Sequence, residues 1–103
     1  MPNGKSACVI KRTGTALALS GLLDHGQGMA LVTEVEDALH GSVGRVVVDL
    51  HKVTVVDSRG LLALIATARN VEQAGRSLVL QRPSQTVRRF LAITDTERAF
   101  AVE

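Results

Sequence analysis

Short apolar runs alternate with stretches in which apolar residues recur every three or four positions, and this alternation continues to the C-terminus. Ala7-Cys8-Val9-Ile10-Lys11 reads as a strand, with Cys8 as a buried strand residue. Arg12-Thr13-Gly14 follows, and glycine can take the positive φ of a tight hairpin. From Thr15 to Leu19, Thr15, Leu17 and Leu19 alternate with Ala16 and Ala18, which predicts a partner strand with one bulky face. The chain leaves this hairpin through Gly21-Leu22-Leu23-Asp24.

A helix is predicted from about Gly28 to His40. Leu31, Val32, Val35, Ala38 and Leu39 fall on one stripe, and Gly41 is a natural stop. Arg45-Val46-Val47-Val48-Asp49-Leu50 is β-branched and nearly continuously apolar, which suits a central strand covered on both faces. A second apolar run, Val53 to Val56, ends at Asp57-Ser58. The longest helix is predicted from Ser58 to Ala74, closed by Gly75. Leu61, Leu64, Ile65, Ala68 and Val71 make one stripe, and Leu62 and Ala66 add a second, so its first half is apolar nearly all round. Such a helix end is either deeply buried or awaits a partner.

Leu78-Val79-Leu80 predicts another short buried strand. Ser84 caps a third helix with Val87, Phe90 and Leu91 inward and Arg88 and Arg89 outward, and Ala99 to Val102 predicts a last edge strand. The order is ββαβαβαβ. The fold class is α/β, with a mixed sheet in which an antiparallel hairpin joins a parallel set.

Composition narrows the function. With 103 residues, 46% hydrophobic and 21% charged, the chain suits a single domain spanning 1–103. No apolar run reaches the roughly 18 residues that cross a bilayer, so direct membrane insertion is not expected. No apolar stretch follows Met1-Pro2-Asn3-Gly4-Lys5, so no secretory signal is expected. One cysteine cannot form an internal disulfide, which points to a reducing, cytoplasmic setting. The net charge of +2 and two Phe with no Tyr or Trp argue against nucleic acid. Charge is unevenly placed: Asp24 to Gly44 holds four acids and no Lys or Arg, while Arg69 to Arg89 holds five arginines and one acid. These are either two solvated helix faces or a surface that orients a charged partner.

Enzymatic motifs are incomplete. Gly26-Gln27-Gly28 precedes a helix, but Leu31 stands where a dinucleotide fingerprint needs a third small residue, so it reads as a flexible loop into the helix. His25, His40 and His51 show no metal-ligand spacing, so no metal and no cofactor are expected. Val56-Asp57-Ser58-Arg59-Gly60 lacks the first glycine of a nucleophile elbow, and no histidine has an obvious role as its base. Asp49 ends a central strand, as in phospho-accepting aspartate domains. Lys11-Arg12 stands where such a domain needs an acidic pair for Mg²⁺, so no catalytic residue is assigned.

Asp57-Ser58-Arg59-Gly60 is the informative element. Asp57 or Ser58 can cap the long helix. A hydroxyl there can also carry a phosphate, because free N–H groups and the positive dipole end stabilise a charge of about −1.5 to −2. Asp57 would oppose that charge, and a phosphate would desolvate poorly against a partner docked on the apolar helix end.

With these residues, the chain resembles the STAS-domain family, specifically bacterial anti-sigma factor antagonists. The resemblance rests on Gly21-Leu22-Leu23-Asp24, Val47-Val48-Asp49-Leu50, Val56-Asp57-Ser58-Arg59-Gly60-Leu61 and Val87-Arg88-Arg89-Phe90-Leu91 in that order. It implies a non-enzymatic partner-switching regulator in a signalling or stress response. Such a protein binds an anti-sigma factor serine kinase, is inactivated by phosphorylation, and is reset by a PP2C-type phosphatase. Ser58 would be the phosphoacceptor. Asp57 would orient it, Asp24 would lie near the same docking surface, and Leu61 and Leu62 would lie on the docking face with Arg59 and Gly60 beside them. Other STAS proteins are further partners the resemblance allows. Two residues depart from the family pattern: Arg59 replaces a second small hydroxyl residue, and Leu22 replaces a common Glu. The alternative implied reading is an unphosphorylated scaffold, or an accessory subunit of a signalling assembly or of a lipid or solute transporter.

Overall fold

The computed structural model describes residues 9–41 and 44–103. Strand β1 (Val9–Thr13) turns at Gly14-Thr15 into β2 (Ala16–Leu23). Gly14 has φ +61°, the positive value the hairpin reading required of it. Helix α1 (His25–Gly41) leads to β3 (Val46–Val56), then α2 (Ser58–Gln73), β4 (Leu78–Gln81), α3 (Gln85–Thr94), a 3₁₀ turn at Glu97–Ala99, and β5 (Ala101–Val102). The order of elements is the expected one. Cys8 and the beginning of the expected first strand lie outside the described residues.

The five strands lie in the order β1-β2-β3-β4-β5. The β1–β2 pair is antiparallel and every later pair is parallel. This sequential order explains the layering. Crossovers between parallel strands are right-handed as a rule, so crossovers that step in one direction place their helices on one face. All three helices contribute to one core, through Leu31 and Val35 of α1, Leu61, Leu64 and Val71 of α2, and Val87 and Leu91 of α3. They pack on Leu17 and Leu19 of β2, Val46, Val48 and Leu50 of β3, and Leu78 and Leu80 of β4.

Among the described residues, the other face has no helical cover. There Ala16 and Ala18 are exposed, and Val47 and Asp49 are only partly buried. The apolar run from Val46 to Leu50 therefore does not mark a strand covered on both sides, as expected from its composition. It marks a strand with one sealed face.

Two further differences have local causes. The helix predicted from Gly28 begins three residues earlier, at His25. Asp24 makes this possible, because its Oδ1 accepts from the Gln27 N–H (3.1 Å) and its carbonyl accepts from Gly28 N–H (2.7 Å). Gly26-Gln27-Gly28 is thus the first turn of a helix, not a loop. The apolar runs at 46–50 and 53–56 are one strand of 11 residues. Against β2, its register shifts between Ala18 and Ser20 and again between Gly21 and Leu22, each time with an extra residue in β3. Such bulges break strand alternation, and they leave His51-Lys52 and Thr54-Val55 as consecutive exposed pairs.

The end of α2 and the start of α3 follow the expected chemistry, whereas Gly41 is the last residue of α1 and does not take the left-handed conformation expected of a stop. Gly75, at φ +78°, follows α2, and the Arg76 N–H returns to the Val71 carbonyl at 3.1 Å. Ser84 caps α3: its Oγ accepts from the Val87 N–H (3.3 Å) and donates to the Val53 carbonyl (2.7 Å). Arg76 joins two segments, since its Nε donates to the Gly44 carbonyl (2.7 Å) and its Nη1 to the Leu39 carbonyl (3.2 Å). A cation at the last turn of α1 also suits the helix dipole.

Candidate functional site

Because β2 and β3 are parallel neighbours, with Leu23 opposite Val56, the chain leaves both strands on the same edge of the sheet. Asp24 and Asp57 are the next residues, and each starts a helix. Asp57 caps α2, with Oδ1 accepting from the Gly60 N–H at 2.8 Å and the carbonyl accepting from Leu61 N–H at 3.0 Å. The Asp57 N–H donates to the Leu23 carbonyl at 3.2 Å, which ties the two strand ends together. Of the two capping candidates, Asp57 holds the cap and Ser58 is the first helical residue.

Glycines set how closely these parts approach. A Cβ built on Gly60 would lie 2.2 Å from the Leu23 carbonyl oxygen, and one on Gly28 would lie 2.4 Å from the Ala63 Cβ. Gly60 thus lets the first turn of α2 press on the end of β2. Gly28 lets α1 and α2 cross at near backbone contact. The sequence reading missed this role of Gly28; its one available signal was a glycine on the apolar side of a helical stripe.

Ser58 is exposed at this junction, and its Oγ makes no hydrogen bond among the described residues. The N–H groups of Ser58 and Arg59 are likewise unengaged there, since the cap bonds go to Gly60 and Leu61. Arg59 is exposed and forms no ion pair among the described residues. The apolar pair that follows is divided. Leu61 is 5% exposed and packs in the core, whereas Leu62 is 62% exposed. Leu61 therefore cannot belong to a docking face as the resemblance implied, because it is already buried beneath the sheet-facing side of α2. Gly60 is also buried, against Leu23. The surface at the site consists of Asp24, Asp57, Ser58, Arg59 and Leu62. Met29, next to Gly28, and Leu62, next to Ala63, are the exposed apolar side chains adjoining in sequence the two residues that meet at the helix crossing, at 53% and 62% exposure.

A family model described as "Mlab, STAS domain" matches residues 7–102. The chain belongs to the STAS domain family. None of the curated proteins compared with it matches. Among solved structures, this STAS domain is similar to the anti-sigma factor antagonist SpoIIAA in its unphosphorylated form, at TM-score 0.70 and 20% identity over 94% of this chain and 88% of that one. It is similar to the phosphorylated form of the Bacillus cell fate determinant SpoIIAA at TM-score 0.64 and 20% identity, over 94% and 91% of the two chains. It is also similar to a candidate anti-sigma factor antagonist from Thermotoga maritima, at TM-score 0.71 and 19% identity over 92% and 84%. The mixed sheet with its helices is the fold these structures share. No helix among the described residues is long and apolar enough to cross a membrane, and no group of three or more His, Cys, Asp or Glu converges among them.

Proposed function

We propose that this STAS domain is an anti-sigma factor antagonist, a non-enzymatic switch that binds an anti-sigma factor serine kinase in its unphosphorylated state. Phosphorylation of Ser58 releases the partner, and a PP2C-type phosphatase restores binding. The observation that carries this reading is the exposed, unpartnered Ser58 hydroxyl one residue after the Asp57 cap, beside exposed Leu62. The family assignment and the likeness to SpoIIAA, solved in both phosphorylation states, support it.

The chemistry follows from the helix end. The kinase would transfer the γ-phosphoryl group of ATP to Ser58 Oγ, with loss of the hydroxyl proton and release of ADP. The unengaged N–H groups of Ser58 and Arg59 lie at the positive end of α2, where a new phosphate gains most from the dipole. Asp57 and Asp24 are held by their own helices' N–H groups, so they stay in place as fixed carboxylates beside the phosphate. A partner docked on Leu62 and Met29 would then have to desolvate a concentrated negative charge, which opposes binding. Arg59 can offset part of that charge or meet an acidic partner residue.

The test is direct. The protein is incubated with an anti-sigma factor kinase from its own genome and ATP, and phosphate is mapped by mass spectrometry. One phosphate on Ser58 is expected, with Ser58→Ala refractory and Ser58→Asp binding the kinase at least about tenfold more weakly, as expected for an uncompensated charge at an interface. Phosphate elsewhere, with Ser58→Ala modified as fast as the parent, rules the assignment out. Kinase-independent partner binding that Ser58→Asp leaves unchanged would instead favour the scaffold or accessory-subunit reading.

A further inference from the structure

The open face of the sheet carries a separate concavity, built on β1, β2 and β3 away from Ser58. Cross-strand register puts Lys11, Ala18 and Asp49 in one row. The methyl group of Ala18 lies between two longer side chains, so the surface sinks there. The register shift that follows places Lys52 opposite Ser20 and leaves His51 and Lys52 both exposed. Arg82, just beyond β4, closes the remaining side. These residues line a pocket of about 250 Å³.

Its charges are unbalanced. Asp49 is the only acid in the lining, and it is already committed. Its Oδ2 accepts from Arg82 Nη2 at 2.6 Å, and its Oδ1 accepts from the His51 N–H at 2.9 Å. Lys11, His51 and Lys52 have no ion-pair partner among the described residues. Three permanent cations thus face one carboxylate.

Arg82 is also held in position. Its backbone is left-handed (φ +47°), a conformation that a non-glycine side chain keeps only when its surroundings impose it. Its N–H donates to the Glu103 carbonyl at 2.9 Å, and Asp49 orients the guanidinium. A solvated lysine protecting an edge strand explains Lys11. It does not explain a bulge that presents two more basic residues beside a fixed arginine over a sunken floor.

We propose that this pocket binds the phosphate group of a small anionic ligand. Donors arrive from several strands: ammonium groups from β1 and β3, the Ser20 hydroxyl from β2, and the guanidinium beyond β4. A tetrahedral dianion can accept from all of these sides, whereas a carboxylate offers two oxygens in one plane. The site is independent of Ser58.

Amide NMR spectra of the full chain, titrated with inorganic phosphate and then with glycerol 3-phosphate at constant ionic strength, test it. Saturable shifts centred on Lys11, Ser20, His51, Lys52 and Arg82 are expected. Lys11→Gln combined with Lys52→Gln should weaken binding at least about tenfold, the scale of lost charge-assisted hydrogen bonds. Arg82→Gly, which accepts the positive φ, should weaken it without unfolding the sheet, and Ser58→Ala should leave it unchanged. Retention on phosphatidic acid vesicles that glycerol 3-phosphate displaces would assign the phosphate to a lipid headgroup, and binding without retention would assign it to a free metabolite. Shifts that never saturate and spread equally over Arg59, Arg69, Arg88 and Arg89 overturn the proposal, as does a double variant that titrates like the parent.

Discussion

The edge where α1 and α2 begin and the open face of the sheet both draw on β2 and β3, yet they satisfy their polar groups in opposite ways. At the helix starts, each carboxylate closes a local cap, and glycines remove side chains so that backbones can touch. On the open face, long basic side chains stand on strands with one acid among them. The first region is a fixed platform with a single loose hydroxyl. The second has spare charge and little packing. Substitutions in the first should therefore be read mainly as stability, except at Ser58 and Leu62. Substitutions in the second should be read mainly as binding.

Gly60→Ala should show the largest effect. The obstacle is the Leu23 carbonyl, 2.2 Å from the new Cβ, and backbone cannot swing aside as a side chain can. A loss of about 3 kcal/mol or more is expected, the upper range for overpacking, measured by urea unfolding. A loss below 1 kcal/mol would mean that the platform is not rigid.

Leu61→Ala and Leu62→Ala divide the two roles within one helical turn. The first should cost about 2–4 kcal/mol as a core truncation. The second should leave stability within about 0.5 kcal/mol and weaken kinase binding instead. Equal stability losses from the two would remove Leu62 from the docking surface.

Gly28→Ala should cost about 1–3 kcal/mol despite the better helix propensity of alanine, because it meets Ala63 at the helix crossing. Adding Ala63→Gly should recover part of that loss, and an additive double variant would show that the contact is not the cause. Ser84→Ala removes both the α3 cap and the bond to Val53, and it should cost about 1–2 kcal/mol by thermal unfolding.

The smallest effect is expected on the open face. Partial burial pushes the Asp49 carboxyl up, but hydrogen bonds from Arg82 and the His51 N–H and the nearby positive charges outweigh it, so the group titrates below its ordinary value of 3.8. A depressed folded value contributes stability that is present above the unfolded pKa and is lost as pH falls through the folded one. Stability should therefore drop below about pH 4, and less steeply in Arg82→Gly. Unfolding curves that fall with the same slope in both proteins would show that the Asp49–Arg82 pair does not couple to folding.

Much of the architecture was legible because it is local. Gly14 and Gly75 end segments where a positive φ is needed, Ser84 caps the helix it precedes, and the stripe from Leu61 to Val71 has the period of a buried helix face. The Asp57-Ser58 element was legible for the same reason, since caps act within a single turn. Three features were not. The start of α1 depended on the Asp24 side chain closing a cap three residues before the apolar stripe begins. The break at His51-Lys52 looks like a gap between two strands, although bulged pairing with β2 carries the strand through it. Leu61 and Leu62 are the same residue type in sequence, and only the packing of α2 on the sheet separates them.

The sequence by itself therefore determined the order of elements, the Ser84 cap and the placement of Ser58 at a helix start, because hydrogen bonds and side-chain periods within a few residues dictate them. The tertiary structure alone decided which face of the sheet stayed open. A run of valines is equally compatible with one cover or two, and the choice followed from strands adding in sequential order, with every right-handed crossover on the same side. It likewise decided that Gly28 and Gly60 must lack a Cβ and that Lys11, Lys52 and Arg82 share one hollow, because those distances exist only once separate segments have met.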